Sequence, residues 1–174
     1  VAYMVLSGIQ LAGQLMDMQM GFAIVNVIDP QSGTQIPLMG NLSQTLALLI
    51  YLAMNGHHFL LQGLADSYKY VPVLGLNLGQ SFMDEITRMT VAMFVIAIKI
   101  AAPIVIAVLT GDIAMGFIAR TVPQMNVFVV GMPVKIMMGL LLLLVMVPIF
   151  LWVFNMLFTQ LFLSLDYFLI SMGR

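Results

Sequence analysis

Charge is what this sequence has least of. Lys and Arg number six and Asp and Glu seven, 7% of the 174 residues, where an ordinary globular domain carries about 25%. With 62% hydrophobic residues and a mean hydropathy of +1.09, such a chain is not a soluble domain. It is an integral membrane protein or a subunit buried in a hydrophobic assembly. Cysteine is absent, which excludes disulfides, thiolate metal sites and Cys nucleophiles and leaves the redox compartment undetermined. A net charge of −1 gives no argument for a nucleic-acid partner. No basic segment followed by a small-residue cleavage site is present, so no signal peptide is expected. Val1 in place of Met is what a processed or trimmed chain would show.

What is present is mostly long apolar stretches. Positions 30–65 and 136–165 contain no Asp, Glu, Lys or Arg, and a membrane span needs roughly 20 predominantly apolar residues. The second stretch, "IMMGLLLLLVMVPIFLWVFNMLFTQLFLSL", is expected to be a helix kinked at Pro148. A kink of that kind is tolerated where neighbouring helices satisfy the freed backbone. Ile86 to Leu109 is another candidate, carrying Lys99 near its middle and Pro103 just after. Val1 to Ile28 is the first. Its polar residues Ser7, Gln10, Gln14 and Asp17 are spaced 3, 4 and 3, which puts them on one helical face. "LALLIYLAMNGHHFLLQGLADSY" reads as helix broken at Asn55-Gly56. The alternation over about 10 residues that marks a barrel strand is missing, so the class is all-α.

Three segments read as irregular: Asp29–Gly40, Tyr68–Ser81 and Gly111–Pro133. The last is too apolar for a water-facing loop and reads as a buried or interfacial hairpin turn. "MGFAIVNVIDPQSGTQIP", Met20 to Pro37, packs Gly, Asp-Pro, Ser-Gly and a second Pro behind an apolar helix. It is either a solvent loop or irregular backbone at membrane depth, which survives only where protein buries it or water lines it. Met16, Met18 and Met20 lead into it, and flexible Met side chains suit either sealing or simple filling.

Few residues could carry chemistry. Asp17 and Lys99 lie inside apolar helices, and an ionised side chain at the bilayer centre costs ~2.5–3.5 kcal/mol on insertion scales. They fit an ion relay or substrate path, or an inter-helix or inter-subunit hydrogen bond. His57 and His58 point about 100° apart on a helix and no third ligand completes a metal site. Ser7-Gly8 lacks the frame of a nucleophile elbow. Asp112 reads as a turn residue rather than the partner of Asp17 in an aspartyl pair. No phosphate-binding Gly loop occurs. No catalytic residue, metal or cofactor is assigned.

"AGQLMDMQMGFAIVNVIDPQSG", "NGHHFLLQGLADSYKYVP" and "RTVPQMNVFVVGMPVKI" follow one another as in the FliR family of flagellar export-gate subunits. The virulence type III secretion counterpart SctT is in the same family. The sequence resembles the C-terminal two-thirds of such a protein over essentially its whole length. Its most specific element is the run Pro123, Gln124, Asn126, Phe128, Gly131, Pro133, and it departs from many members in having Gln14 where they have Glu. The resemblance implies bent helical hairpins in a closed export gate with FliP and FliQ subunits and an FlhB subunit nearby. Unfolded proteins would pass through it, driven by a separate ATPase and the proton-motive force. It implies a FliP-like portion over 1–82 and a FliQ-like hairpin over 83–174, with the Pro123–Pro133 run near the hairpin turn. It also implies that 20–37 plugs the pore. Met20, Phe22, Val25 and Ile28 would give apolar surface there, and Asp29, Pro30 and Gly33 the tight turn. Gln10, Gln14, Asp17 and Lys99 are assigned to subunit contacts or the pore lining. The implied place is the bacterial inner membrane, in contact with lipid, within a flagellar basal body or injectisome. The alternative from the residues alone is a small-molecule or ion transporter with Asp17 and Lys99 in its path.

Overall fold

The computed structural model describes residues 2–22, 37–70, 80–122, 124 and 126–172. Among the described residues five helices follow in order: α1 (Ala2–Met20), α2 (Leu38–Ala53), α3 (Gly56–Tyr70), α4 (Gln80–Thr121) and α5 (Val127–Met172). No strand occurs among the described residues, and the class is all-α as expected.

α1 is the central helix. Ile9, Ala12, Met16 and Met20 are fully buried, a stripe at spacings of three and four that helical geometry lines up on one face. It lies against both α2 and α4. Glycines set both approaches. A Cβ on Gly8 would sit 3.1 Å from the Met93 carbonyl oxygen of α4, and one on Gly13 would sit 2.5 Å from the Met39 oxygen and Gly40 Cα of α2. Small residues that let backbones approach are the expected glue where lipid removes the hydrophobic drive between helices.

α4 answers with Ala97, Ile100, Ala101, Ile104 and Val108, again at helical spacing, and α5 with Phe150, Phe154 and Phe158. Phe150 and Phe154 stack at 6.0 Å, and Phe158 meets Tyr51 of α2 at 5.3 Å and 57°, a tilted arrangement that aromatic quadrupoles favour. The expected break at Asn55-Gly56 is present. Asn55 has φ 57°, the left-handed conformation that Asn tolerates better than most residues. The Tyr51 hydroxyl donates to the Gly56 carbonyl at 2.5 Å and its ring covers Gly56, where a Cβ would overlap it. Burial pushes the Tyr51 hydroxyl above its ordinary pKa.

Three expectations are corrected. The Gly111–Pro133 segment is not one irregular turn: α4 runs to Thr121 and α5 starts at Val127, leaving 122–126 between them. Its glycines lie within the helices rather than breaking them, Gly111 making room for Met138 and Gly131 facing Met115, while Gly116 meets nothing within 4 Å. Val122, Gln124, Asn126 and Phe128 are exposed in the single chain. The helix breaks that bent hairpins would place at Pro103 and Pro148 are absent, α4 and α5 continuing through them. The proposed loops also shorten, because Leu38–Gly40, Tyr68–Tyr70 and Gln80–Ser81 are helical.

Among the described residues two helices are long and apolar enough to cross a membrane. An 18-residue stretch of Phe82–Thr121 averages a hydropathy of 2.6 with 28% of its residues buried within the chain, and one of Phe128–Leu161 averages 2.8 with only 11% buried. Most of the apolar surface of this hairpin is therefore left for lipid or other protein.

Candidate functional site

The site of interest is where the chain leaves α1 and re-enters as α2. Gly21, at φ +90°, ends α1 with the left-handed glycine that commonly closes a helix. Met20 just before it is fully buried and packs so closely on Gly139 of α5 that a Cβ there would overlap its side chain. Met20 thus roots the stretch in the core. Phe22 packs partly buried against the same core. Val25, Ile28, Asp29, Pro30 and Gly33 fall outside the described residues.

The returning chain enters α2 through Pro37, whose side chain makes no cap hydrogen bond. A helix start leaves several backbone N–H groups without partners, and proline has no side-chain oxygen to take them. Asp17, one turn beyond Gly13 on α1, supplies the acceptors. The Met39 N–H donates to Asp17 Oδ1 at 2.9 Å and Oδ2 at 3.0 Å, and the Gly40 N–H to Oδ2 at 3.1 Å. Asp17 is 5% exposed. Its charge lies at the positive end of the α2 dipole, where anions are favoured, with hydrogen bonds to compensate its burial. Of the uses open to Asp17, the chain makes the inter-helix hydrogen bond. Gln14, half-buried, lies beside Gly40, its Cγ 3.2 Å from where a Cβ would project. Gln10 is also half-buried.

Gly21 also borders an open cleft of about 330 Å³ between the hairpin helices, lined by Asp112, Met115, Phe128 and Lys135 among others. Lys135 Nζ and Asp112 Oδ1 pair across it at 2.5 Å. Asp112, read as a turn residue, is thus half of a bridge within helical structure. The sequence held no local sign of this pairing, because its members are 23 positions apart.

Lys99 is exposed on the side of α4 away from Ala97, Ile100 and Ala101. Pro103, four residues on, has no N–H to give the Lys99 carbonyl, so polar groups cluster mid-helix. The structure does not bring Asp17 and Lys99 together: the carboxylate is held by α2 amides and the ammonium faces outward. His57 and His58 lie with ring centroids 4.2 Å apart and planes tilted by 38° on the exposed first turn of α3. Among the described residues no three His, Cys, Asp or Glu are grouped to hold a metal.

Of the Pro123–Pro133 run, Pro123 lies outside the described residues. Asn126 caps α5, its Oδ1 accepting from the Val129 N–H at 3.3 Å. Phe128, Gly131 and Pro133 belong to the first turns of α5 rather than to the turn itself.

Residues 1–161 match the family model described as bacterial export proteins, family 1. The chain is similar to the flagellar biosynthetic protein FliR of Bacillus subtilis, 47% identical over 83% of this chain and 57% of the relative. It is 28% identical to FliR of Escherichia coli over 90% of this chain and 60% of that protein. It is also 28% identical to the secretion system apparatus protein SsaT of Salmonella typhimurium, over 80% of this chain and 52% of that one. The chain spans somewhat more than half the length of these relatives.

Proposed function

Because the chain belongs to the bacterial export proteins, family 1, we propose that it is a non-enzymatic subunit of a flagellar or type III protein-export channel. Unfolded proteins would leave the cell through that channel. The observation that carries this reading is the hairpin of α4 and α5. In an 18-residue apolar stretch of its second helix only 11% of the residues are buried within the chain, and a contiguous exposed apolar face marks a surface that meets protein or membrane. Such a helix needs lipid, neighbouring subunits or both. The proposed neighbours are FliP-, FliQ- and FlhB-type subunits in the bacterial inner membrane. The helices of 1–82 form the FliP-like part, and 83–174 the FliQ-like hairpin.

Within the gate, 20–37 is the pore plug, rooted by Met20 and Phe22. Gln10, Gln14 and Lys99 face subunit contacts or the pore. A transporter using Asp17 and Lys99 together gains no support from two side chains that do not meet.

The test is ion conductance of membranes holding the full-length protein assembled with its FliP and FliQ partners, after deletion of Asp29 through Gly33. A large rise in leak with assembly preserved is the expected result. Unchanged leak from a fully assembled gate would return the stretch to an ordinary loop and move the seal elsewhere.

A further inference from the structure

We propose that the outward face of α4 centred on Lys99 seats a membrane helix of a neighbouring subunit, and that this helix carries a carboxylate at the depth of Lys99. The inference deepens the proposed subunit role and rests on it.

Helical geometry builds the face. Ala97, Ile100, Ala101, Ile104 and Val108 turn inward and are buried, so the opposite side of α4 looks out of the chain. Arg88, Lys99 and Thr110 are spaced by 11 residues, three turns that bring them to within about 20° of each other in sequence. Between Arg88 and Asp112 the only Asp, Glu, Lys or Arg is Lys99. Among the described residues its ammonium has no ion-pair or hydrogen-bond partner.

Water, lipid or protein must meet that ammonium. Water fits poorly, because the exposed residues nearest it on α4 are Phe94, Val95, Ile98 and Ile106, an apolar wall. Lipid is excluded by reach. Lys99 lies about 16 Å along the helix axis from Arg88 and about 20 Å from Asp112, so the stretch between those two matches the roughly 30 Å bilayer core. A lysine stem extends about 6 Å, too short to snorkel from there to a headgroup phosphate.

Protein remains. An ammonium offers three donors and no acceptor, and a carboxylate is the partner that both accepts its hydrogen bond and cancels its charge. Asp17 and Asp112 are already held, by α2 amides and by Lys135, and neither is free to serve the Lys99 of a second copy. Thr110 donates to its own helix, at the Ile106 carbonyl, so its hydroxyl oxygen is left to accept from the docked helix.

The test uses the full-length protein co-expressed with FliP- and FliQ-type subunits. A photo-crosslinking amino acid placed at Val95 or at Ile106 leaves Lys99 intact and captures what lies against its face. The expected product joins the chain to another subunit, through a peptide holding Asp or Glu within a membrane helix. Charge exchange then reads the pair. Lys99→Glu sets like charges face to face and is expected to lower recovery of the complex about tenfold. Changing the captured acid to Lys in the same cells is expected to restore recovery to within about threefold of the parent, which a merely structural role for Lys99 would not do. If Lys99→Glu does not accumulate, Lys99→Leu is paired with the captured acid changed to Leu, and the pair is expected to recover more complex than Lys99→Leu alone.

Capture of lipid only, of a second copy of this chain, or of a segment with no acid within one turn of the contact overturns the proposal. So does normal recovery of Lys99→Glu, or failure of the paired changes to restore it. If the parent chain co-purifies with neither subunit, the subunit reading itself falls. If it co-purifies and the Lys99 variants do so equally well, only the helix seat falls.

Discussion

Asp112 of α4 and Lys135 of α5 are joined by an ion pair of 2.5 Å with each side chain about one-third exposed. Exposed pairs contribute little and buried ones break expensively, and this one lies between those limits beside an apolar cleft. Lys135→Met and Asp112→Asn are each expected to destabilise the hairpin. Replacing both together should cost less than the two single changes added. A double-mutant cycle on chemical unfolding in detergent should give a coupling of about 1–2 kcal/mol.

Glycines of this chain separate into required and dispensable ones. Gly13→Ala puts a methyl 2.5 Å from the backbone of α2, and backbone cannot swing aside as a side chain can. The expected loss is about 1–3 kcal/mol, read as a lower unfolding midpoint. Gly116→Ala meets nothing within 4 Å. It should raise the midpoint, by up to about 1 kcal/mol from helix propensity.

Tyr51→Phe removes the hydroxyl that donates to the Gly56 carbonyl while keeping the ring against Phe158. Stability should fall by about 0.5–1.5 kcal/mol. Faster hydrogen exchange confined to the α2–α3 corner would place the loss there. Gly56→Ala, whose Cβ would overlap the Tyr51 ring, should be worse.

Lys99 gives the sharpest test of what covers α4. An ammonium facing lipid is a burden of ~2.5–3.5 kcal/mol on insertion scales, and Lys99→Leu would then improve membrane insertion and leave assembly alone. With Lys99 at a subunit contact, the same change lowers recovery of the gate complex about tenfold, while Lys99→Arg keeps it. The second pattern is expected, measured by co-purification with the partner subunits.

Much of the fold was legible because local physics decided it. Apolar runs marked α4 and α5, and Asn55-Gly56 broke α2 from α3 because no tertiary contact overrides a left-handed Asn. Spacing put Asp17 on a polar face, but its partners Met39 and Gly40 are more than twenty residues away and invisible to periodicity. The one usable hint was Pro37, a helix start with no capping oxygen. Pro103, Pro148 and the glycines near the hairpin turn were overvalued as breakers. In an apolar helix with packed neighbours a missing hydrogen bond is tolerated, and glycine at a helix interface is an asset.

The lengths of α4 and α5 carry a mechanical consequence. At 1.5 Å per residue, 42 and 46 residues make rods of about 63 and 69 Å, twice the roughly 30 Å of a bilayer core. Rods of that length work as levers. A tilt of about 5° at one end moves the other by about 5 Å, and a rotation of that size about Lys135 moves Phe150 and Phe154, 15 and 19 residues on, by about 2 Å. Whatever grips one end of the hairpin steers the other.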